Sequence, residues 1–263
     1  MDQSYFKKLE KPASDAPRWN LPEQKSGKIL VLGGNSQSFK TEVRVSEYLT
    51  KNFQLKEVVT ALPETLKSAF PPLPNPIFLP ATDSGSFSDA DSLKNAINSA
   101  DFTLILGDFS KNAATKTAVF SAVETCEKPL LITRDSIDLL ADLPLKKSLE
   151  NPQNLFFLTV PGIQKLFHSL YYPKVITLSM SLLQLADALH KFTLSYQITL
   201  ITVSNNQLLF AHDGAVRAFP LEKTPYSPLS LWFGDAAARL AVFNLFNPKN
   251  PLDASISALS SQK

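Results

Sequence analysis

The chain has 263 residues, of which 44% are hydrophobic and 19% charged, so it can bury a sizeable core and is too apolar to be disordered. Its 26 basic and 24 acidic side chains nearly cancel, which argues against nucleic acid as a partner. No apolar run is long enough to span a membrane and the first ten residues lack the apolar stretch of a signal peptide. We therefore expect no membrane partner and a cytoplasmic location, and the single cysteine, Cys126, suits a reducing compartment.

Predicted strands and helices alternate along most of the chain. The polar, proline-bearing residues 1–26 predict an N-terminal arm, and residues 27–263 predict one domain. From their apolar runs, strands are expected over residues 28–33, 57–62, 77–79, 102–106, 129–133, 155–159, 198–203, 207–211 and 215–219. From their periodicity and start signals, helices are expected over about 36–53, 88–100, 112–126, 161–170, 179–192 and 234–247, with a short one beginning at Pro63 and a last one at Pro251.

The sequence also predicts which residues cap two of the helices and which side chains point inward. Ser36 or Ser38 is expected to cap the first helix, and Ser88 with Asp91 makes a capping-box pattern. The inward side chains of two helices are expected to be Phe39, Val43, Val45 and Leu49 in the first and Leu182, Leu183, Ala186 and Leu189 in the helix over 179–192.

The alternation predicts an α/β fold with a mostly parallel central sheet and helices on both faces. Asp213-Gly214, between the last two predicted strands, indicates a late antiparallel hairpin at an edge of that sheet. In such sheets ligands bind beyond the carboxyl ends of the strands. The turns after those ends are therefore the places to look for chemistry.

The sharpest candidate among these turns is Gly234-Asp235, which precedes a helix that begins with three alanines. The N-terminus of a helix presents free N–H groups that suit a phosphate or a developing oxyanion, and Asp235 can act as a base toward a hydroxyl group or water. The alternative is that Asp235 only stabilises the start of the helix. From the local pattern both interpretations stay open.

Other catalytic and metal-binding patterns are missing from the sequence. The three histidines, His168, His190 and His212, lack the spacing of metal ligands, so no metal site is expected. No P-loop, no G-x-G-x-x-G fingerprint and no G-x-S-x-G elbow occurs.

The order of the turns resembles the ribokinase-like superfamily, and within it the ADP/ATP-dependent NAD(P)H-hydrate dehydratases. Seven segments between about residues 19 and 260 carry the resemblance. Residues 19–22 with 26–35 match the opening of the family, where a strand ends in GGS, and residues 61–64 match its strand-end Pro-Glu. In the order of the chain, residues 105–107, 133–135, 161–162, 213–214 and 231–235 stand where the family has its GPGLG turn, its DAD, its TPHPGE segment, its late hairpin and its GGTGD. The resemblance implies a ribokinase-like three-layer fold.

The resemblance also implies roles for particular residues. Asp235 is expected to be the catalytic base, with the nucleotide held near Gly234, Ser204 and Arg239. The substrate is expected near Gly34, Asn35, Gly107 and Gly162. The implied cofactor is ADP or ATP, with Mg²⁺ accompanying the nucleotide, and the family often forms homo-oligomers.

The sequence departs from the family pattern at most of these motifs. Asp108 and Phe109 follow the one retained glycine of GPGLG. Val203 stands at the Lys of the family's LKG strand-end motif, in which Ser204 lies at about the position of the glycine. Trp232 and Phe233 replace Gly and Thr before Gly234. Two hypotheses follow. The protein is a divergent dehydratase or kinase that uses Asp235, or it is a catalytically inactive binding or regulatory protein that keeps the fold.

Overall fold

The computed structural model describes residues 4–12, 15–68, 75–141, 143 and 145–260. Residues 1–3, 13 and 14 of the predicted arm, residues 69–74, 142 and 144, and the last three residues lie outside these ranges. In chain order the strands are β1 Phe6–Lys8, β2 Ser26–Gly33, β3 Leu55–Pro63, β4 Pro76–Leu79, β5 Phe102–Gly107, β6 Leu130–Thr133, β7 Leu155–Phe157, β8 Thr199–Ser204, β9 Gln207–His212 and β10 Ala215–Pro220.

Helices cover much of the remaining described chain. They are α1 Ala16–Trp19, α2 Lys40–Asn52, α3 Ala90–Asn98, α4 Ala113–Glu124, α5 Ser136–Leu140, α6 Val160–Ser169, α7 Leu182–Ser195, α8 Asp235–Phe246 and α9 Pro251–Ser260. Short 3₁₀ turns cover Glu64–Leu66, Lys147–Leu149, Leu221–Lys223 and Ser230–Phe233.

The described strands form one ten-stranded sheet in the order β1-β10-β9-β8-β7-β6-β5-β2-β3-β4. Neighbours from β8 to β4 pair in parallel, and only β9 runs against its two neighbours within this sheet. The carboxyl ends of β2, β3, β5, β6, β7 and β8 therefore lie along one edge, which we call the carboxyl edge. The predicted α/β fold with a mostly parallel sheet and a late hairpin is confirmed.

Hydrophobic side chains cover both faces of the sheet. Along β2, Leu30 and Leu32 join a core with α3 to α7, and Ile29 and Val31 join a second core with α2, α8 and α9. This alternation follows from the period of two along a strand. A strand that is buried on both faces has a continuous run of apolar residues. For this reason β2 and β5 could be predicted from the sequence.

The predicted arm contributes to the sheet. Phe6–Lys8 pairs in parallel with β10, so β1 lies outside the late hairpin that was expected to form the edge. Tyr5 stacks on His190 of α7 with ring centroids 4.0 Å apart. Neither contact has a signal in the polar sequence of residues 1–26, because both depend on long-range packing.

The details of helix starts differ from the sequence predictions. Phe39 precedes α2 without a side-chain cap, and Asn35 accepts hydrogen bonds from the amides of Gln37 and Ser38, so neither serine caps α2. Asp89 caps α3 through the Ser92 amide at 2.8 Å, in place of the predicted Ser88.

One predicted inward position, Leu183, is exposed, and three others, Phe39, Val43 and Leu182, are only half-buried. Leu183 is 44% exposed, whereas Leu185 on the same helix is buried. On α2, Val45 and Leu49 are buried as predicted, and Phe39 and Val43 are half-buried.

Among the helices of the described ranges, none combines the length and the apolar character that crossing a membrane requires.

Asn154 provides a test of how the amino ends of the central strands are held. It is buried, its side chain accepts a hydrogen bond from the Leu130 amide at 2.8 Å, and it donates one to the Ser148 carbonyl at 2.8 Å. We expect Asn154→Leu to lower the free energy of unfolding by about 2–4 kcal/mol, because two buried backbone groups lose their partners. Urea unfolding at constant m-value measures the change. Asn52→Leu, at an exposed helix position, should change stability by less than about 0.5 kcal/mol, and equal effects of the two substitutions would contradict this account.

Candidate functional site at the carboxyl edge

The turns after β2 and β5 meet directly at the carboxyl edge. The Gly34 amide donates a hydrogen bond to the Gly107 carbonyl at 2.9 Å, and the side-chain amide of Asn35 donates one to the Asp108 carbonyl at 2.6 Å. Gly34 and Gly107 have φ of 86° and 98°, a region that glycine enters without steric cost. Three of the predicted substrate-binding residues therefore lie side by side.

The turn after β6 packs against the turn after β5. The Asp135 carboxylate accepts hydrogen bonds from the Asp108 amide at 3.1 and 3.2 Å, and the Arg134 guanidinium forms an ion pair with the Asp108 carboxylate at 3.2 Å. Both Asp108 and Arg134 have positive φ, of 56° and 57°. Desolvation raises the pKa of Asp135, and the hydrogen bond from the Asp108 amide opposes the rise.

A buried carboxyl group lies beneath these turns. Glu42 of α2 is fully buried, and neither carboxyl oxygen has a hydrogen-bond partner among the described residues. Burial raises the pKa of Glu42 to about 8, and the charge of Asp108 adds to the rise. An ionisable group shifted this far at the edge where ligands bind is typical of a functional site.

A cavity of about 500 Å³ opens beside these turns. Gly162, at the start of α6, lines it together with the cations Arg134 and Lys165 and the aromatic side chains of Trp232 and Phe233. A smaller cavity of about 230 Å³, which shares Asp135, Asp138 and Lys165 with the first, continues toward Phe109, Lys111 and Lys116. A larger cavity, of about 680 Å³, lies near the amino ends of β7 and β8 and includes none of the predicted site residues.

Asp235 begins α8, and its carboxylate is hydrogen-bonded to a neighbouring arginine. Arg44 of α2 donates two hydrogen bonds to it, from Nε to Oδ1 at 3.1 Å and from Nη2 to Oδ2 at 2.8 Å. The same guanidinium lies 5.3 Å from the ring centroid of Phe233. Gly234, with φ of 103°, makes the turn, and Val45 packs against its α-carbon. Both carboxylate oxygens that a general base would use are thus bonded to the protein itself.

The two aromatic residues before Gly234 make different contacts. Trp232 stacks on Phe157 of β7 with ring centroids 4.6 Å apart, so its ring lies against the end of the sheet. Phe233 is 41% exposed and faces the cavity mouth. Two aromatic side chains thus line the cavity at the positions where the family pattern has Gly and Thr.

Ser204 and Arg239 do not lie with the other predicted site residues. Ser204 ends β8 at the carboxyl edge, two strands from β6, and does not line the cavity. Arg239 is 8% exposed, and its Nε donates a hydrogen bond to the Ala258 carbonyl of α9 at 2.7 Å. Burial raises the pKa of Tyr226, and the nearby charge of Arg239 opposes this rise. Arg239 thus joins α8 to α9, and its predicted role at a phosphate stays a prediction.

Sequence reasoning missed four of the side chains that shape this site: Glu42, Arg44, Asp108 and Lys165. A signal for Glu42 was available, because Glu42, Val45 and Leu49 follow the i, i+3, i+7 spacing of a buried helix face. Arg44 gave no such signal, since its partner Asp235 lies 191 positions away in sequence.

Comparison with known proteins identifies the fold. No family model matches the chain, and a search of curated proteins finds no match. Solved structures do match: a ribokinase-like superfamily protein from Enterococcus faecalis has a TM-score of 0.66 at 14% identity, covering 98% of this chain and 87% of that one. An ADP/ATP-dependent NAD(P)H-hydrate dehydratase from Bacillus subtilis, co-crystallised with ATP and Mg²⁺ and soaked with CoA, has a TM-score of 0.61 at 14% identity, covering 95% and 86%. An ADP complex of a Bacillus subtilis pyridoxal kinase has a TM-score of 0.52 at 9% identity, covering 89% of each chain.

These matches establish the class of fold that the chain adopts, which is the ribokinase-like α/β fold. The expectation of that fold from the order of the turns is confirmed. Because the identities are so low, they carry no activity over to this chain, and function has to be argued from the site itself.

Proposed function

We propose that the protein is a ribokinase-fold binding or regulatory protein that holds a nucleotide or a similar phosphate-bearing small molecule at the carboxyl edge without catalysing its conversion. The observation that carries this proposal is the bidentate contact between Arg44 and Asp235. A general base needs a carboxylate oxygen within hydrogen-bond reach of the proton that it removes, and both oxygens of Asp235 are bonded to Arg44.

The size and lining of the cavity support a ligand of nucleotide size. Its volume of about 500 Å³ lies within the range of small-molecule sites. Arg134 and Lys165, which pair with Asp108 and Asp138, are cations that phosphate oxygens could share, and Phe233 offers an aromatic surface for a planar ring. The solved structures with this fold include a dehydratase co-crystallised with ATP and Mg²⁺ and a pyridoxal kinase with ADP, so ADP and ATP are the first ligands to test.

Any Mg²⁺ would enter with the phosphates of the ligand. Within the described ranges, no three His, Cys, Asp or Glu side chains are placed to hold a metal ion. The two carboxylates that line the cavity already have partners, because Asp135 accepts from the Asp108 amide and Asp138 pairs with Lys165 at 2.5 Å. The residues present therefore do not form a metal site of their own, and the proposal includes no step through a metal.

Calorimetric titration with ADP, ATP and NADPH tests the proposal, together with an assay for the dehydration of hydrated NADPH in the presence of each nucleotide. We expect at least one ligand to bind and no turnover above the uncatalysed rate. Arg134→Ala should weaken binding, whereas Lys51→Ala, on the exposed side of α2, should not. Turnover that disappears in Asp235→Asn would refute the proposed loss of catalysis.

A second candidate is the dehydratase or kinase in which Asp235 acts as the base. One observation favours it: the Arg44 side chain is 52% exposed, so its contact with Asp235 can open at little cost, since exposed ion pairs contribute only about 0–1 kcal/mol. This candidate predicts turnover that Asp235→Asn reduces by about 10²-fold or more, the usual contribution of general base catalysis. Assembly into a homo-oligomer remains a proposal that sedimentation analysis can test.

A further inference from the structure

Glu42 is unusual because it is a fully buried acid without a hydrogen-bond partner in the described chain. It extends from α2 toward the strand ends. A Cβ atom added to Gly33 would collide with Glu42 Oε1 and would lie 2.7 Å from the Gly107 carbonyl oxygen. The carboxyl group and the Gly107 carbonyl thus both pack on the α-carbon of Gly33.

The turns that surround this carboxyl group are tied to one another by hydrogen bonds. Gly34 donates to Gly107, Asn35 to the Asp108 carbonyl, and the Asp108 amide to Asp135. The carboxyl group of Glu42 therefore lies at the point where the turns after β2, β5 and β6 converge.

The charges that face Glu42 make its ionised form unfavourable. From the turns after β5 and β6 it experiences two carboxylates, Asp108 and Asp135, and one cation, Arg134, and this cation is already paired with Asp108. Of the other elements packed against α2, α8 presents Asp235, which is paired with Arg44. The charged residues of β2 and β3, namely Lys28, Lys56 and Glu57, lie toward the opposite edge of the sheet, where Lys28 pairs with Glu57.

We propose that Glu42 is a positioning residue whose neutral carboxyl group holds the Gly34 and Gly107 turns together, so that the carboxyl edge closes with one bound proton. A neutral carboxyl group fits in the buried space behind Gly33, whereas a carboxylate there loses its solvent and meets the negative charges of Asp108 and Asp135, which the backbone amide of Glu42 offsets only in part. The closed arrangement of the turns is thereby linked to proton uptake. Its effect on ligand binding rests on the proposed function, but the proton linkage itself does not.

The direction of the pH dependence follows from the raised pKa. When the turns open, Glu42 meets water and returns toward its ordinary pKa of 4.5, whereas in the closed state the pKa is about 8. Between these values the closed state binds more protons, so the stability of the closed turns is greatest below pH 4.5 and falls as the pH rises to 8. Above pH 8 both states are ionised and the curve flattens.

Hydrogen exchange of the Gly34 amide measures this opening directly. We expect the opening equilibrium in the wild type, relative to Glu42→Gln at the same pH, to rise by up to tenfold per pH unit between pH 5.5 and 8 and to level off above pH 8. Glu47→Gln is the matched control, because Glu47 lies exposed on the same helix in an ion pair with Lys51. It should follow the wild type. An identical pH dependence in the wild type and Glu42→Gln would overturn the proposal.

Two further measurements report on the protonation of Glu42 and on its link to ligand binding. If Glu42→Gln fails to fold, infrared spectra of the wild type decide, because a protonated carboxyl band should be present at pH 6.5 and lost at pH 9; its absence at pH 6.5 would overturn the proposal. Titration with ATP between pH 5.5 and 9 tests the link to binding. Relative to Glu42→Gln, the wild type should lose up to tenfold in affinity per pH unit below pH 8, and the loss should level off above pH 8. If none of ADP, ATP and NADPH binds at any pH, the proposed function is wrong. The hydrogen-exchange data then still test whether closure of the turns is linked to protonation of Glu42.

Discussion

Replacing Gly107 with alanine is expected to lower the free energy of unfolding by about 3–5 kcal/mol, in the range reserved for strained or colliding substitutions. Gly107 ends β5 with φ of 98°, where an L-residue pays about 1–2 kcal/mol in backbone strain. Its added Cβ would also collide with the Asp135 carboxylate and lie 2.8 Å from the Ser136 amide nitrogen. The Ser136 nitrogen belongs to the backbone and cannot rotate away, so the turns after β5 and β6 would have to separate.

Gly162→Ala is the matched control for this substitution. Gly162 is another predicted site residue, but it lies within α6, and the nearest atoms to an added Cβ are 3.4 Å away. Alanine is favoured over glycine in a helix by about 0.5–1 kcal/mol, so this variant should be as stable as the wild type or slightly more stable. Urea unfolding of the two variants tests the difference. A cost below 1 kcal/mol for Gly107→Ala would show that the two turns are not rigidly packed.

The separation of Asp135 from Gly107 also has a functional consequence. Since Asp135 holds the Asp108 amide and lines the cavity, displacement of its turn should weaken ligand binding even at temperatures where Gly107→Ala remains folded. Binding measured well below the unfolding midpoint separates this effect from loss of the folded protein.

The strands were predictable because the central strands are buried on both faces. Residues 28–33 and 102–106 are continuous apolar runs, and that pattern depends only on local sequence and the burial of a parallel sheet. Helix starts were less predictable, because several nearby polar residues compete for the same amides. Asp89, and not Ser88, caps α3, because the Ser92 amide reaches the Asp89 carboxylate in the folded chain.

The turns at the carboxyl edge could be predicted from the sequence, whereas the contacts among their side chains could not. The strand-end rule directed attention to the turns after β2 and β5, and the free N–H groups of a helix start did the same for α8. The binding roles of Gly34 and Gly107 were implied only by the family resemblance, and these two residues do lie in contact. The pairing of Arg44 with Asp235 depends on how α2 packs against α8, and no local pattern encodes it. The contribution of β1 to the sheet edge likewise depends on contact with β10, more than 200 residues later.

Phe233→Ala is expected to weaken the binding of ADP or ATP by about tenfold or more if the cavity holds the nucleotide base. Phe233 is 41% exposed, lines the cavity and lies under the Arg44 guanidinium. Aromatic stacking contributes about 0.5–1.5 kcal/mol beyond the area buried, and removing the ring also removes its apolar contact area. Because the ring is partly exposed in the free protein, the free energy of unfolding should change much less than the affinity.

The same substitution distinguishes a binding surface from an obstruction. If Phe233 blocks the turn before Gly234, its removal exposes the free amides at the start of α8, which attract phosphate, and the affinity for ATP should rise. Trp19→Ala is the matched control, since Trp19 is 80% exposed and belongs to α1, and it should leave the affinity unchanged. Calorimetric titration of the wild type and both variants measures the three values. A higher affinity in Phe233→Ala would indicate that the phosphate binds at the start of α8 and not against the Phe233 ring. An equal loss of affinity in Phe233→Ala and Trp19→Ala would show that Phe233 has no specific part in binding.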